Sequence, residues 1–154
     1  MSQQNETVPE TANREIVSSR VINASQENVF EAFCNPDILA RWWGPEGFTN
    51  TFQTFEFRPG GTWEFVMHGP NGTDYPNKSV FVEIVELERV VFEHVVPPIF
   101  RMTITFEKAG QDDKTQFGFR MLFESAELCE KLKGICVPAN EQNFDRLEAV
   151  LAGL

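Results

Sequence analysis

Along the chain, apolar and polar positions fall into short alternating runs first and a helical stripe last. Ile16, Ser18, Arg20 and Ile22 alternate with Val17, Ser19 and Val21, which predicts a first strand beginning at Arg14. Ser25 offers a hydroxyl to cap a short helix through Phe33, with Val29, Phe30 and Phe33 as its apolar face. Asn35-Pro36 repeats the start signal, because proline at the first helical position forfeits an N–H that would be unpaired anyway. Ile38, Leu39 and Trp42 are the expected buried side of this second helix, and Gly44-Pro45 ends it. Two aromatic runs then flank Arg58-Pro59-Gly60-Gly61, whose glycines tolerate the positive φ of a tight hairpin. Phe55 and Phe57 share one strand face, and Trp63, Phe65 and Met67 share another. Closing the hairpin sets these side chains beside one another.

His68 to Asp74 is dense in turn formers and predicts a loop. Strand patterns recur at Ser79–Leu87, Arg89–Val96, Phe100–Lys108 and Thr115–Phe123, with short joins that predict an antiparallel meander. In the last two, Phe100, Met102, Ile104, Phe106, Phe117, Phe119, Met121 and Phe123 form one phenylalanine-rich face. Ser125 can cap a short helix through Leu132, with Gly134 as its stop. Beyond Pro138, Phe144, Leu147, Leu151 and Leu154 make a helical stripe, with Glu141, Asp145, Arg146 and Glu148 on the opposite side. The pattern therefore predicts an α+β domain over residues 14–154, with seven strands, two short helices after the first and an amphipathic closing helix. Residues 1–13, mostly polar, are expected to be a flexible tail.

Composition narrows the functional classes. Fifteen phenylalanines against one tyrosine suit a thick dry interior or an apolar cavity. A formal net charge of −10 argues against nucleic-acid backbones and anionic membranes as partners. No apolar run approaches a membrane span. Three cysteines, odd in number and without metal-ligand spacing, suit a reducing cytoplasm and predict no metal site. No cofactor fingerprint is present, and the glycine pairs belong to hairpins rather than to phosphate loops. An exposed sheet edge permits a homodimer.

Several motifs occur in a recognisable order: Trp42-Trp43-Gly-Pro-x-Gly-Phe48, Arg58-Pro-Gly-Gly-x-Trp63-x-Phe65-x-Met67-x-Gly-Pro-x-Gly72, Glu83-Ile84 and Glu88-Arg89-Val-Val-Phe92. This series resembles the SRPBCC (START/birch-pollen-allergen-like) superfamily, in the branch named after the activator of the heat-shock-protein-90 ATPase. The resemblance covers roughly Arg14 to Leu154. It implies a helix-grip fold, a curved antiparallel sheet wrapped round a long C-terminal helix with a hydrophobic cavity between them. Members of the superfamily bind apolar small molecules, cyclise polyketides or act as co-chaperones, so the fold does not select one activity.

The inward strand positions are the expected cavity wall: Trp43, Phe55, Phe57, Trp63, Phe65, Met67, Phe92, Phe100, Met102, Phe117, Phe119, Met121 and Phe144. Adjacent tryptophans suit a half-open wall, since each indole N–H needs a partner. His94 shares the parity of Val90, Phe92 and Val96 and is expected inward, as a ligand-orienting group, a general base or a hydrogen-bonded core histidine. Glu83 shares the parity of Phe81 and Val85; inward it would be a second polar group, outward a solvated one. His68 is expected near the cavity mouth. Binding of an apolar small molecule is the preferred reading. A cyclase or hydrolase using His94 with Glu83 comes second, and a co-chaperone-like interaction protein third.

Overall fold

A computed structural model of the chain describes residues 12–110 and 113–154. The expected tail, residues 1–13, lies outside the described residues except for Ala12 and Asn13, which form a single 3₁₀ turn with Arg14. Seven strands follow: β1 Glu15–Ile22, β2 Thr49–Phe55, β3 Thr62–His68, β4 Asp74–Val85, β5 Arg89–His94, β6 Phe100–Lys108 and β7 Thr115–Phe123. Helices α1 (Gln26–Cys34) and α2 (Pro36–Trp42) lie between β1 and β2, and α3 (Ala126–Ala152) closes the chain. The strands form one antiparallel sheet in the order β1-β7-β6-β5-β4-β3-β2. The expected α+β helix-grip architecture is present: a curved sheet with the three helices on its apolar face.

Local chemistry sets the element boundaries. Ser25 Oγ accepts from the Asn28 N–H at 3.1 Å, Asn35 Oδ1 from Asp37 at 3.0 Å, and Ser125 Oγ from Leu128 at 3.1 Å. At the β2–β3 hairpin Gly60 has φ +84°, and a Cβ on Gly61 would run into the Glu56 carbonyl.

Three features depart from the sequence pattern. First, β4 begins at Asp74 rather than Ser79, so the strand takes in residues 74–78 as well, while the predicted loop keeps its place over 69–73 between β3 and β4. Second, β4 carries a bulge: Phe81 pairs with Phe92 but Glu83 pairs with Val91, leaving Val82 without a partner. One extra residue reverses strand parity. Glu83 is therefore half exposed, with Oε1 accepting from Arg89 Nε at 2.9 Å, while Ile84 packs against the core. Third, α3 is one helix of 27 residues that runs through both Gly134 and Pro138. Pro138 forfeits the bond its N–H would give to the Gly134 carbonyl, a cost of about 3 kcal/mol for an interior proline.

What offsets that cost is the grip of the sheet on the second half of α3. Phe144 and Leu147 are fully buried, and Phe144 packs edge-on against Phe117 and Phe119 at 5.5 and 5.0 Å. Arg20 of β1 reaches Glu141 at 2.8 Å, Asp145 at 2.7 Å and Glu148 at 2.8 Å, with its guanidinium 5.5 Å from the Phe144 ring centre. The acidic residues expected to face solvent thus converge on one cation. Arg20→Met should lower the unfolding free energy by about 2 kcal/mol, because three carboxylates then repel without a counter-ion. Urea unfolding at low salt measures this, and an unchanged midpoint would contradict the role assigned to Arg20.

Candidate functional site

The interior between sheet and α3 has a solid half and a hollow half, and Trp43 stands between them. Its ring contacts those of Trp42, Trp63, Phe33, Phe92 and Phe119 at centroid distances of 5.1–6.3 Å. On one side Trp63, Phe65, Phe55, Phe57, Phe81 and Phe92 are packed ring to ring. Trp42 is fully buried there and donates its indole N–H to the Ala32 carbonyl at 2.9 Å. Trp63 is also fully buried, and its N–H finds no oxygen acceptor, only the surrounding π faces.

On the other side lies a chamber of about 260 Å³, walled by Trp43, Met67, His94, Phe100, Met102, Phe119 and Met121 of the sheet side and by Cys136, Asn140 and Asn143 of α3. It opens into a vestibule of about 580 Å³ bounded by Phe48, Tyr75, Pro76, Pro97 and Ile135. Pro45, Met67, Asn77, His94, Pro98, Ile135 and Ala139 border both. The vestibule falls in the range of small-molecule sites, and the chamber lies just below it. The rim is apolar: Ile135 is 67% exposed, and Tyr75 is also exposed.

Three side chains hold Trp43 in place. Asn143 Nδ2 donates to the Trp42 carbonyl at 2.7 Å, and Asn143 Oδ1 accepts from the Gly44 N–H at 3.3 Å. Arg146 donates to the carbonyls of Arg41, Trp43, Gly44 and Pro45 at 2.9–3.2 Å, so a cation satisfies the open end of α2. Asn50 Nδ2 donates to the Ala40 and Trp43 carbonyls. Gly44, at φ +99°, makes the turn that no bulky residue would make as cheaply.

His94 lies flat against Phe100, with centroids 4.9 Å apart, and is largely buried. Its Nδ1 donates to the Pro98 carbonyl at 2.8 Å, and its Nε2 is 2.7 Å from Asn77 Oδ1. Asn77 Nδ2 in turn donates to the Tyr75 carbonyl at 2.9 Å. In this orientation both ring nitrogens face acceptors, which suits an imidazolium. Burial acts the other way and depresses the pKa of His94 below its ordinary 6.5, against the pull of the Pro98 and Val96 carbonyls. The neutral ring that burial favours accepts from an Asn77 amide turned over. Either way neither nitrogen is free.

His68 does not line either cavity. It joins Thr51 (Oγ1 to Nε2, 2.7 Å) and Asp74 (Nδ1 to Oδ1, 2.7 Å) across three strands. The chain of contacts imitates a nucleophile, base and orienting carboxylate, but Thr51 and Asp74 are exposed, His68 is half-buried, and none borders the chamber or vestibule. It braces the strand ends. Nor do the cysteines offer a thiolate: burial, aided by Glu31, pushes the Cys34 thiol up to about 11, and burial also raises Cys136. Among the described residues no group of acidic, histidine or cysteine side chains could hold a metal ion.

Residues 23–152 match the family described as Activator of Hsp90 ATPase homolog 1-like protein. The chain belongs to that family. Curated proteins provide no match. Solved structures share the fold: a Nitrosomonas europaea protein superposes with a TM-score of 0.83 at 18% identity, covering 94% of this chain and 98% of that one. A solution structure from Arthrobacter aurescens gives 0.83 at 23% identity, covering 95% and 90%. A Mycobacterium smegmatis protein gives 0.81 at 19% identity, covering 94% of each. At these identities the likeness establishes the fold of this Activator of Hsp90 ATPase homolog 1-like chain and not its activity.

Within this family member the predicted wall divides. Trp43, Met67, His94, Phe100, Met102, Phe119 and Met121 border the chamber, whereas Phe55, Phe57, Trp63, Phe65, Phe92, Phe117 and Phe144 border neither cavity and belong to the aromatic packing. The reason is Trp43, which fills the space between them. Of the two positions open to Glu83, the β4 bulge gives the outer, solvated one, so it cannot work with His94. The sequence reading missed Asn77, Pro98 and the α3 wall from Ile135 to Asn143. Asn140 and Asn143, three apart and both buried, were a usable signal once the helix is extended through Pro138.

Because the folded pKa of His94 is depressed, the unfolded chain takes up a proton first as pH falls below about 6.5, so stability declines there. His94→Gln should remove that part of the decline. Urea unfolding of both proteins between pH 7.5 and 5 tests this; parallel pH profiles would contradict a depressed His94.

Proposed function

We propose that this chain binds an apolar small molecule in the chamber and vestibule between the sheet and α3. The observation that carries the reading is that the wall of both spaces is apolar or neutral: apart from His94, no ionisable acid or base except the Tyr75 phenol and the Cys136 thiol borders them. Such a wall rewards removal of apolar surface from water at about 25 cal/mol per Å². The apolar rim extends that surface to the entrance. Three free cysteines accord with a reducing, cytoplasmic setting. Among the described residues no helix is long and apolar enough to cross a membrane.

A cyclase or hydrolase reading is less well supported. Catalysis by His94 requires a nitrogen free to take a proton, and both are engaged by Pro98 and Asn77. The carboxylate expected to assist it lies on the outer face. The fold and family are compatible with a co-chaperone-like role as well, but that role would not call for a hollow, charge-poor interior.

Titration with the neutral fluorophore N-phenyl-1-naphthylamine tests the proposal. Saturable binding is expected, with affinity lowered at least tenfold by Ala139→Phe, which places a ring at the border of chamber and vestibule. Thermal unfolding of the variant serves as the folding control. Binding that is absent, or indifferent to Ala139→Phe in a folded variant, would overturn the proposal.

A further inference from the structure

The polar equipment of the chamber is small and uncharged. Asn140 is buried, donates from Nδ2 to Ser18 Oγ at 3.2 Å and lies 3.6 Å from the Met121 sulfur, while its Oδ1 makes no hydrogen bond. Among the described residues the Trp43 indole N–H finds no partner either, although the ring is otherwise enclosed by five aromatic neighbours. Neither atom is among the sealed, unpaired polar atoms of the interior, which are Asn50 Oδ1 and Trp63 Nε1. Both residues border the chamber. A donor and an acceptor without a protein partner therefore remain accessible in one apolar space, and a ligand that displaced their water without matching them would bind at a cost.

No cationic side chain borders the chamber or vestibule among the described residues. Arg146, three residues beyond Asn143 on α3, is committed to four backbone carbonyls. The whole chain carries a net charge of −10. A carboxylate or phosphate entering here would lose its hydration without gaining a counter-ion. A hydroxyl suits the chamber better, because it accepts from an N–H and donates to a carbonyl oxygen without carrying charge.

We infer that the chamber selects neutral hydroxyl-bearing apolar molecules, long-chain alcohols or phenols, over the corresponding acids, with Trp43 Nε1 as donor and Asn140 Oδ1 as acceptor. The inference deepens the binding function proposed above and rests on it. Burial that keeps His94 neutral is consistent with it.

Isothermal titration calorimetry with 1-decanol and with decanoate at pH 8, both below their aggregation concentrations, tests the inference on the unmodified protein. Decanol should bind at least tenfold more tightly than decanoate. Asn140→Leu and Trp43→Phe should each weaken decanol about three- to tenfold, the range for loss of one hydrogen bond, and so narrow its advantage over decanoate. Equal affinities, or tighter decanoate, would overturn the selectivity while leaving an apolar binding site in place. Absence of binding by either molecule would overturn both. If a variant does not fold, the comparison of the two molecules on the parent chain still decides.

Discussion

The open end of α2 is fastened to α3, and the division of the interior depends on that fastening. A helix leaves its last carbonyls unpaired, and burying them without donors is costly. Here Arg146 and Asn143 of α3 supply donors to Arg41, Trp42, Trp43, Gly44 and Pro45. The same bonds fix where the chain leaves α2, and so drive the Trp43 ring into the centre of the sheet. Without that anchor α2 would have no reason to stop where it does, and Trp43 no reason to partition the core.

With Trp43 in place, each side follows different physics. Behind it, aromatic rings fill the space at edge-on and stacked distances, and the polar atoms are few and sealed. In front of it, Met67, Met102, Met121 and the rings of Phe100 and Phe119 leave a gap that α3 roofs with Ile135, Cys136, Ala139, Asn140 and Asn143. Arg20 secures the second half of the roof by gathering three carboxylates from one face of α3. The half of α3 before Pro138 is less tied down: of its residues only Cys129 is buried, and Ile135 stands exposed at the rim. Rigidity beneath and a lightly held roof above describe a container better than a reaction centre.

Much of this architecture was legible in the sequence. Period-two alternation in β1, β6 and β7 gave strands, faces and order, because one-sided burial imposes that alternation directly. The capping residues Ser25, Asn35 and Ser125 marked helix starts for equally local reasons. What failed was non-local. The bulge at Val82 broke the strand parity that grouped Glu83 with Phe81 and Val85, and nothing in Val82-Glu83 itself announces it. Gly134 and Pro138 read as helix breakers, yet burial of Phe144 and Leu147 and the Arg20 contacts carried the helix through them. Losing that stretch of helix concealed the α3 wall. The split between wall and core among fourteen correctly apolar or inward positions turned on the direction of one ring, Trp43, which alternation cannot give.

The claim that most needs testing is that Trp43 separates a sealed interior from an open one. Hydrogen exchange at the three indole N–H groups, followed by nuclear magnetic resonance, addresses it directly. Trp42 is bonded to Ala32 and Trp63 is sealed among rings, so both should exchange slowly, whereas the unpaired Trp43 N–H at the chamber wall should exchange much faster. Equal protection of all three would mean that the chamber is closed, and the account of this chain as a binding protein would fail.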